Sequence, residues 1–152
     1  SHSLVESVNN VILFCETIFE KNSIVCKFKH SEDFILNCNQ IDFSDSILNI
    51  IDNSIYALVN NKDKEDRYIL INFSNKILSI KDSANGIEEE IITKICEPYF
   101  TTKHQSFGVG LGLFTVNEFF TRNLDFKIEF KNEEFEYKNK KLKGLNININ
   151  FN

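Results

Sequence analysis

The feature that most constrains this chain is the repeated change of its hydrophobic period, from about 3.6 residues to 2 and back. Ser3 and Glu6 stand at capping-box spacing. Behind them Leu4, Val8, Val11, Ile12, Cys15, Ile18 and Phe19 recur at helical spacing to about Lys21. Ile24, Cys26 and Phe28 then alternate as a strand, and "FILNC" offers a second short one. A second helix is expected over about Ser44 to Asn60, followed by the charged loop "NKDKED". After it "RYILINF" and "KILSIKD" read as two strands joined at "SN", with Asp82 at a strand's C-terminal end. "IEEEIITKIC" resumes helical character, which Pro98 ends, and a further helix is expected from about Leu111 to Phe120. The tail alternates twice, as "LDFKIEF" and "LNININF", with "EEFEY" open between them. The order α-β-β-α-β-β-α-α-β-β predicts an α+β fold, a two-layer sandwich with helices on one face of the sheet.

At 152 residues, with no internal repeat, low-complexity tract or linker, residues 1–152 are expected to form a single domain. Ser1-His2 reads as an expression scar, so His2 is given no role. The net charge of −5 argues against a broad nucleic-acid surface, while leaving open an anionic small ligand held by local contacts. No apolar run approaches the roughly 20 residues that cross a bilayer. Cys15, Cys26, Cys38 and Cys96 form no CxxC pair and sit in apolar surroundings. They are expected to be buried reduced thiols in a cytosolic protein.

Three polar clusters interrupt this pattern. On the second helix Asn49, Asn53, Tyr56 and Asn60 share one narrow stripe, opposite Ile47, Ile51, Ile55 and Leu58. Such a stripe is either a solvated face or a pair of aligned amide oxygens suited to a hard cation such as Mg²⁺. Asn is a poor residue for a helix interior, which draws attention to it. In "IKDSANGI", Asp82 is either a solvated Asx-turn residue or an acceptor for an exocyclic amine such as adenine's. Gly86 would let the backbone approach a flat ligand. In "SFGVGLGLFTVNEFF", Gly108, Gly110 and Gly112 alternate just ahead of a helix. They make either a mobile loop with a helix cap or an anion site built from backbone N–H groups and the helix dipole. Taken in order, the three clusters make a complete nucleotide-binding set.

The chain resembles sensor histidine kinases at these places. "LNIIDNSIYAL" is similar to their N box, "KDSANGI" to the first glycine box, "ICEPYFTTK" to the F box and "GVGLGL" to the second glycine box. The resemblance covers nearly the whole chain and is to their C-terminal catalytic and ATP-binding domain. It implies the Bergerat fold of gyrases, chaperones, histidine kinases and mismatch-repair proteins, with a mixed sheet. It also implies ATP and Mg²⁺ as ligands, with Asn53 binding the metal and Asn49 lining the metal and phosphate side. Asp82 would read the adenine amine, with Gly86 and Ile87 forming the adjacent pocket wall. Residues from about Tyr99 to Gly110 would form an ATP lid, expected to be mobile without nucleotide. Lys103 would lie near the phosphates, and Gly108, Val109, Gly110 and Leu111 would cradle them. Asn49 and Lys103 would carry the catalytic roles.

The departures from the family pattern are Ala84, where the first glycine box has a glycine, Tyr56, where many members place a phosphate-facing Lys or Arg, and Leu145, where a Thr hydroxyl is usual. An alanine held at positive φ would cost about 1 kcal/mol. Asn49 stands where the ATP-hydrolysing relatives carry a Glu, and an amide cannot serve as general base. The resemblance therefore implies phosphoryl transfer to a histidine on separate phosphoacceptor and dimerisation helices, since His2, His30 and His104 do not fit the acceptor motif. It further implies a response regulator as partner, a cytoplasmic location and no direct membrane contact. The isolated domain is expected to be monomeric. The alternatives are a nucleotide-incompetent interaction module of the same fold and a stand-alone ATPase or serine kinase of the same superfamily.

Overall fold

The computed structural model describes residues 1–94, 112–122 and 126–152. The chain begins with β1 (His2–Ser3) and α1 (Leu4–Phe14), where the Ser3 hydroxyl caps the helix by accepting the Glu6 N–H at 3.0 Å. The helical run expected to Lys21 breaks at Cys15 and resumes as α2 (Glu16–Lys21). β2 (Val25–His30) follows, then β3 (Ile35–Leu36). The short "FILNC" strand pairs with β1 rather than with the main sheet, so His2 has a place in the fold, opposite Leu36. α3 (Gln40–Asn61) starts four residues before the expected Ser44, because the Asn39 side chain accepts the Asp42 N–H at 3.0 Å and so caps it.

β4 (Tyr68–Ser74) and β5 (Ile77–Asp82) form a hairpin whose turn residues Asn75 and Lys76 lie at φ +52° and +61°. Positive φ at both central residues matches the right-handed twist of the flanking strands. α4 (Glu89–Ile92) is much shorter than the expected "IEEEIITKIC" helix within the described residues. α5 (Gly112–Arg122) follows, and the tail folds as β6 (Lys127–Tyr137) and β7 (Lys140–Asn150). "EEFEY" is therefore no separate strand. It is the end of β6, joined to β7 by Lys138 and Asn139 at φ +50° and +64°.

The main sheet has the order β2-β4-β5-β7-β6, with β2 and β4 parallel and every other pair antiparallel. The parallel pair needs a crossover, and α3 lies in it. Cross-strand register puts Ile69, Ile71, Phe73, Leu78, Ile80, Ile147 and Ile149 on one face. All join one core with Leu4 and Val8 of α1, Phe43, Ile47, Ile50 and Ile51 of α3, and Val116 and Phe120 of α5. The opposite face is polar: Lys81 bridges Glu133 at 2.9 Å, and the Ser79 hydroxyl donates to Asn146 Oδ1. Helices on one side and polar side chains on the other give the two-layer Bergerat architecture.

Phe151 closes the core, with its ring within 4.6 to 6.3 Å of the rings of Phe126, Phe34, Phe73, Phe43 and Phe120. Burying each such ring contributes about 1.5–3 kcal/mol, which gives the abundant phenylalanine a structural use. Arg67, 9 % exposed, sends its guanidinium to the carbonyls of Asn22, Val59 and Lys62, at the ends of α2 and α3. Helix carbonyls that lack an intrahelical partner are thereby satisfied. Burial raises the Cys15 and Cys38 thiols and pushes Cys26 up to about 12, which favours the protonated form; Cys15 is buried as expected, whereas Cys26 and Cys38 are only half-buried. Cys96 lies outside the described residues.

Candidate functional site

Period-2 alternation sets Asp82 in phase with Leu78 and Ile80, so this carboxylate points to the apolar side of the sheet, under α3. It is 4 % exposed. Its Oδ1 accepts N–H groups from Ala84 at 3.0 Å and Leu145 at 3.3 Å, and its Oδ2 accepts the Ser54 hydroxyl at 3.0 Å. Burial raises the carboxyl above its ordinary range, and the three hydrogen bonds oppose that shift. A buried carboxylate so held can recognise one further donor, such as an exocyclic amine.

Gly144 on β7 makes this geometry sterically possible. A Cβ there would stand 1.6 Å from the Asp82 carbonyl oxygen and 2.7 Å from Oδ1. The turn after Asp82 carries its positive φ at Asn85 (+74°) and Gly86 (+73°), not at Ala84. The condition for strain at Ala84, a positive φ, is therefore not met; Ala84 is simply buried. Asn85 tolerates its conformation and links the turn to the end of α3, donating to the Asn61 carbonyl and accepting from Lys62 Nζ. A Cβ on Gly86 would approach Asn132 Oδ1 to 2.6 Å. That Asn132 amide grips the Ile87 backbone at both groups: Oδ1 accepts the Ile87 N–H at 2.9 Å, and Nδ2 donates to the Ile87 carbonyl. The Ile87 backbone is thus fixed at the end of the turn that follows Asp82.

On α3, Asn49, Asn53 and Tyr56 are half-buried and Asn60 is exposed. Asn53 Nδ2 donates to the Asn49 carbonyl at 2.8 Å, a bond that does not use its Oδ1. The start of α5 reaches this place: a Cβ on Gly112 would lie 3.5 Å from Asn53 Nδ2 and 3.9 Å from Asn49 Oδ1. One helix therefore meets the Asp82 carboxylate through Ser54, the following turn through Asn61 and the α5 N-terminus through Asn49 and Asn53. Mg²⁺ keeps several waters and substrate oxygens, so one or two amide oxygens here fit its needs. Among the described residues no group of three or more His, Cys, Asp or Glu could hold a metal by itself.

Lys103, Gly108, Val109, Gly110 and Leu111, with the rest of the expected lid, lie outside the described residues. Sequence reasoning overlooked Ser54, Asn85 and Asn132. Ser54 had a readable signal: it falls in phase with Ile47, Ile50, Ile51 and Leu58 on the buried face, where a hydroxyl needs a partner. Asn132 had none, because its partner is a backbone group distant in sequence.

Comparisons with known proteins bear on the family and the fold. The chain is 26 % identical over 117 residues to Sporulation kinase C of Bacillus subtilis (strain 168), a match that takes in 73 % of this chain and 26 % of that protein. The chain thus spans about a quarter of that relative's length. The catalytic domain of histidine kinase ThkA superposes with a TM-score of 0.71 at 22 % identity, over 99 % of this chain and 93 % of that one. ThkA has also been solved in complex with the response regulator TrrA, where the TM-score is 0.66 at 18 % identity, over 99 % of this chain and 41 % of that one. These likenesses establish the fold. The family described as "Histidine kinase-, DNA gyrase B-, and HSP90-like ATPase" matches residues 38–149, and the chain belongs to it.

Proposed function

We propose that this chain is the ATP-binding catalytic domain of a sensor histidine kinase, which presents the γ-phosphoryl group of Mg-ATP to a histidine on a separate phosphoacceptor domain. The observation that carries the reading is the Asp82 carboxylate, buried and held by three donors beside a helix whose Asn49 and Asn53 meet the start of α5. Asp82 accepts the adenine amine, and Gly86 and Ile87 line the base. Asn53 Oδ1 would hold Mg²⁺, and Asn49 would line the metal and phosphate side. Bound Mg²⁺ would neutralise phosphate charge as the transferred group leaves. The protein's own share would be positioning, with Tyr56 and, as the family resemblance implies, Lys103 and Gly108, Val109, Gly110 and Leu111 acting on the phosphates.

Asn49 favours transfer over hydrolysis, since an amide activates no water. The phosphoacceptor helices, a response regulator and a cytoplasmic setting belong to this reading; the ThkA–TrrA complex supports the second by analogy. A calorimetric titration with a non-hydrolysable ATP analogue, with and without Mg²⁺, tests it. Binding that weakens without the metal and in Asp82→Ala supports the site, and Asn53→Ala should abolish phosphoryl transfer to a supplied phosphoacceptor domain. No binding at millimolar analogue would instead favour an interaction module that keeps the fold, which Tyr56 and Leu145 allow. Steady-state hydrolysis by this chain alone would favour a stand-alone ATPase.

A further inference from the structure

We propose that Ser54 is a positioning residue that sets the base specificity of this site, by holding Asp82 as a pure hydrogen-bond acceptor that selects a 6-amino purine over a 6-oxo purine. The inference rests on the nucleotide reading above.

The behaviour of neighbouring side chains on α3 supports it. Asn53 and Asn60 both bond back to the carbonyl four residues earlier, at 2.8 and 2.7 Å. A mid-helix serine ordinarily does the same or faces solvent. Ser54, 5 % exposed, does neither: its hydroxyl crosses to β5 and donates to Asp82 Oδ2 at 3.0 Å. An ionised carboxylate has about four lone-pair sites. Among the described residues, Ala84 and Leu145 fill the two on Oδ1, and Ser54 fills one on Oδ2. The Oδ2 atom can then accept one more hydrogen bond and offers none. An exocyclic amine satisfies it, whereas a 6-oxo group would set oxygen against oxygen.

The charge state depends on the same hydroxyl. Asp82 is surrounded by Ile69 of β4, the Leu145 N–H of β7, the Ser54 hydroxyl of α3 and the Ala84 N–H of its own turn. Hydrogen bonds, rather than a charged side chain on those elements, oppose the effect of burial. Without the Ser54 donor the carboxyl is protonated at higher pH, and a protonated Oδ2 can donate to a 6-oxo group.

The test is a titration of the chain with non-hydrolysable ATP and GTP analogues at several pH values, for the wild type, Ser54→Ala, Ser54→Thr and Asp82→Ala. Ser54→Ala should lose roughly tenfold in affinity for the ATP analogue. Its preference for adenine over guanine should shrink, and its loss of ATP-analogue binding on acidification should set in at higher pH. Ser54→Thr, which keeps the hydroxyl, should restore both. A Ser54→Ala protein with the wild-type base ratio and pH profile overturns the proposal. So does an equal loss for both analogues, the mark of a packing role alone. Should Ser54→Ala fail to fold, Ser54→Cys, a weaker donor of similar volume, carries the same comparison. A wild type that binds neither analogue overturns the nucleotide reading itself, and this inference with it. Binding that weakens in Asp82→Ala but not in Ser54→Ala overturns this inference alone.

Discussion

Asn53 and Ser54 are adjacent in the chain and live under opposite conditions. The Asn53 amide is half-buried and tied to its own helix, a local bond that forms wherever α3 forms. Ser54 and its partner Asp82 are buried in an apolar layer and depend on β5, β7 and α3 meeting correctly. A buried polar group left unsatisfied costs about 1–3 kcal/mol, so the inner pair is specified by the whole fold. The outer amides carry little such penalty. Under the proposed function, recognition would be built into the core, while metal chemistry would sit on a face that tolerates change.

Substitutions can break or sharpen this contrast. The largest effect is expected for Gly144→Ala, whose Cβ would collide with the Asp82 backbone. Chemical denaturation should show a loss on the order of 3 kcal/mol, or no folding. Asn132→Ala strips two hydrogen bonds from the Ile87 backbone and should cost about 1–3 kcal/mol, read the same way. An unchanged stability would show that the pocket wall does not need this amide.

Asp82→Asn separates stability from function. The Asp82 carboxyl is raised in the folded state, so the native protein holds its proton more tightly than the unfolded chain does. Its contribution is therefore most favourable below the ordinary carboxylate range and is lost as pH rises through the raised folded value. An amide can keep the Ala84 and Leu145 bonds and donate to Ser54, and it has no charge to desolvate. Melting curves should show Asp82→Asn at least as stable as the wild type at neutral pH, with the advantage shrinking in acid. ATP-analogue binding should be lost. The smallest effect on stability is expected for Asn53→Ala, within about 0.5 kcal/mol, since alanine is the better helix former. Mg²⁺-dependent binding should nevertheless fall, and a large drop in melting temperature would contradict the division between the two faces.

The sequence made the outer face and the order of elements readable for the same reason: both are periodic. The Asn stripe stood out against isoleucines at fixed spacing, and β4 and β5 alternated cleanly. β6 was misread as two pieces because its apolar residues change sides. Ile128 and Phe130 lie toward the helices, whereas Phe135 lies under Lys81 on the polar face, opposite Leu142. The inner site was half legible. Asp82 was found from its place at a strand end, but Ser54 required asking which face of α3 it occupies. The close approach of Gly144 to Asp82 depends on strand register between distant segments, which no local pattern encodes.

Arg67 has a consequence for how the molecule opens. Its guanidinium ties the ends of α2 and α3 to the start of β4, so none of the three can fray without breaking bonds to the other two. In hydrogen exchange these segments should behave as one cooperative unit, with amides near Asn22, Val59 and Arg67 exchanging through a common opening. The C-terminal turn of α3 also carries the Asn61 contact to Asn85. A thermal fluctuation at this arginine would therefore be transmitted to the turn at Asn85 and Gly86, and binding of a nucleotide beside that turn, as proposed, should slow exchange as far away as the end of α2.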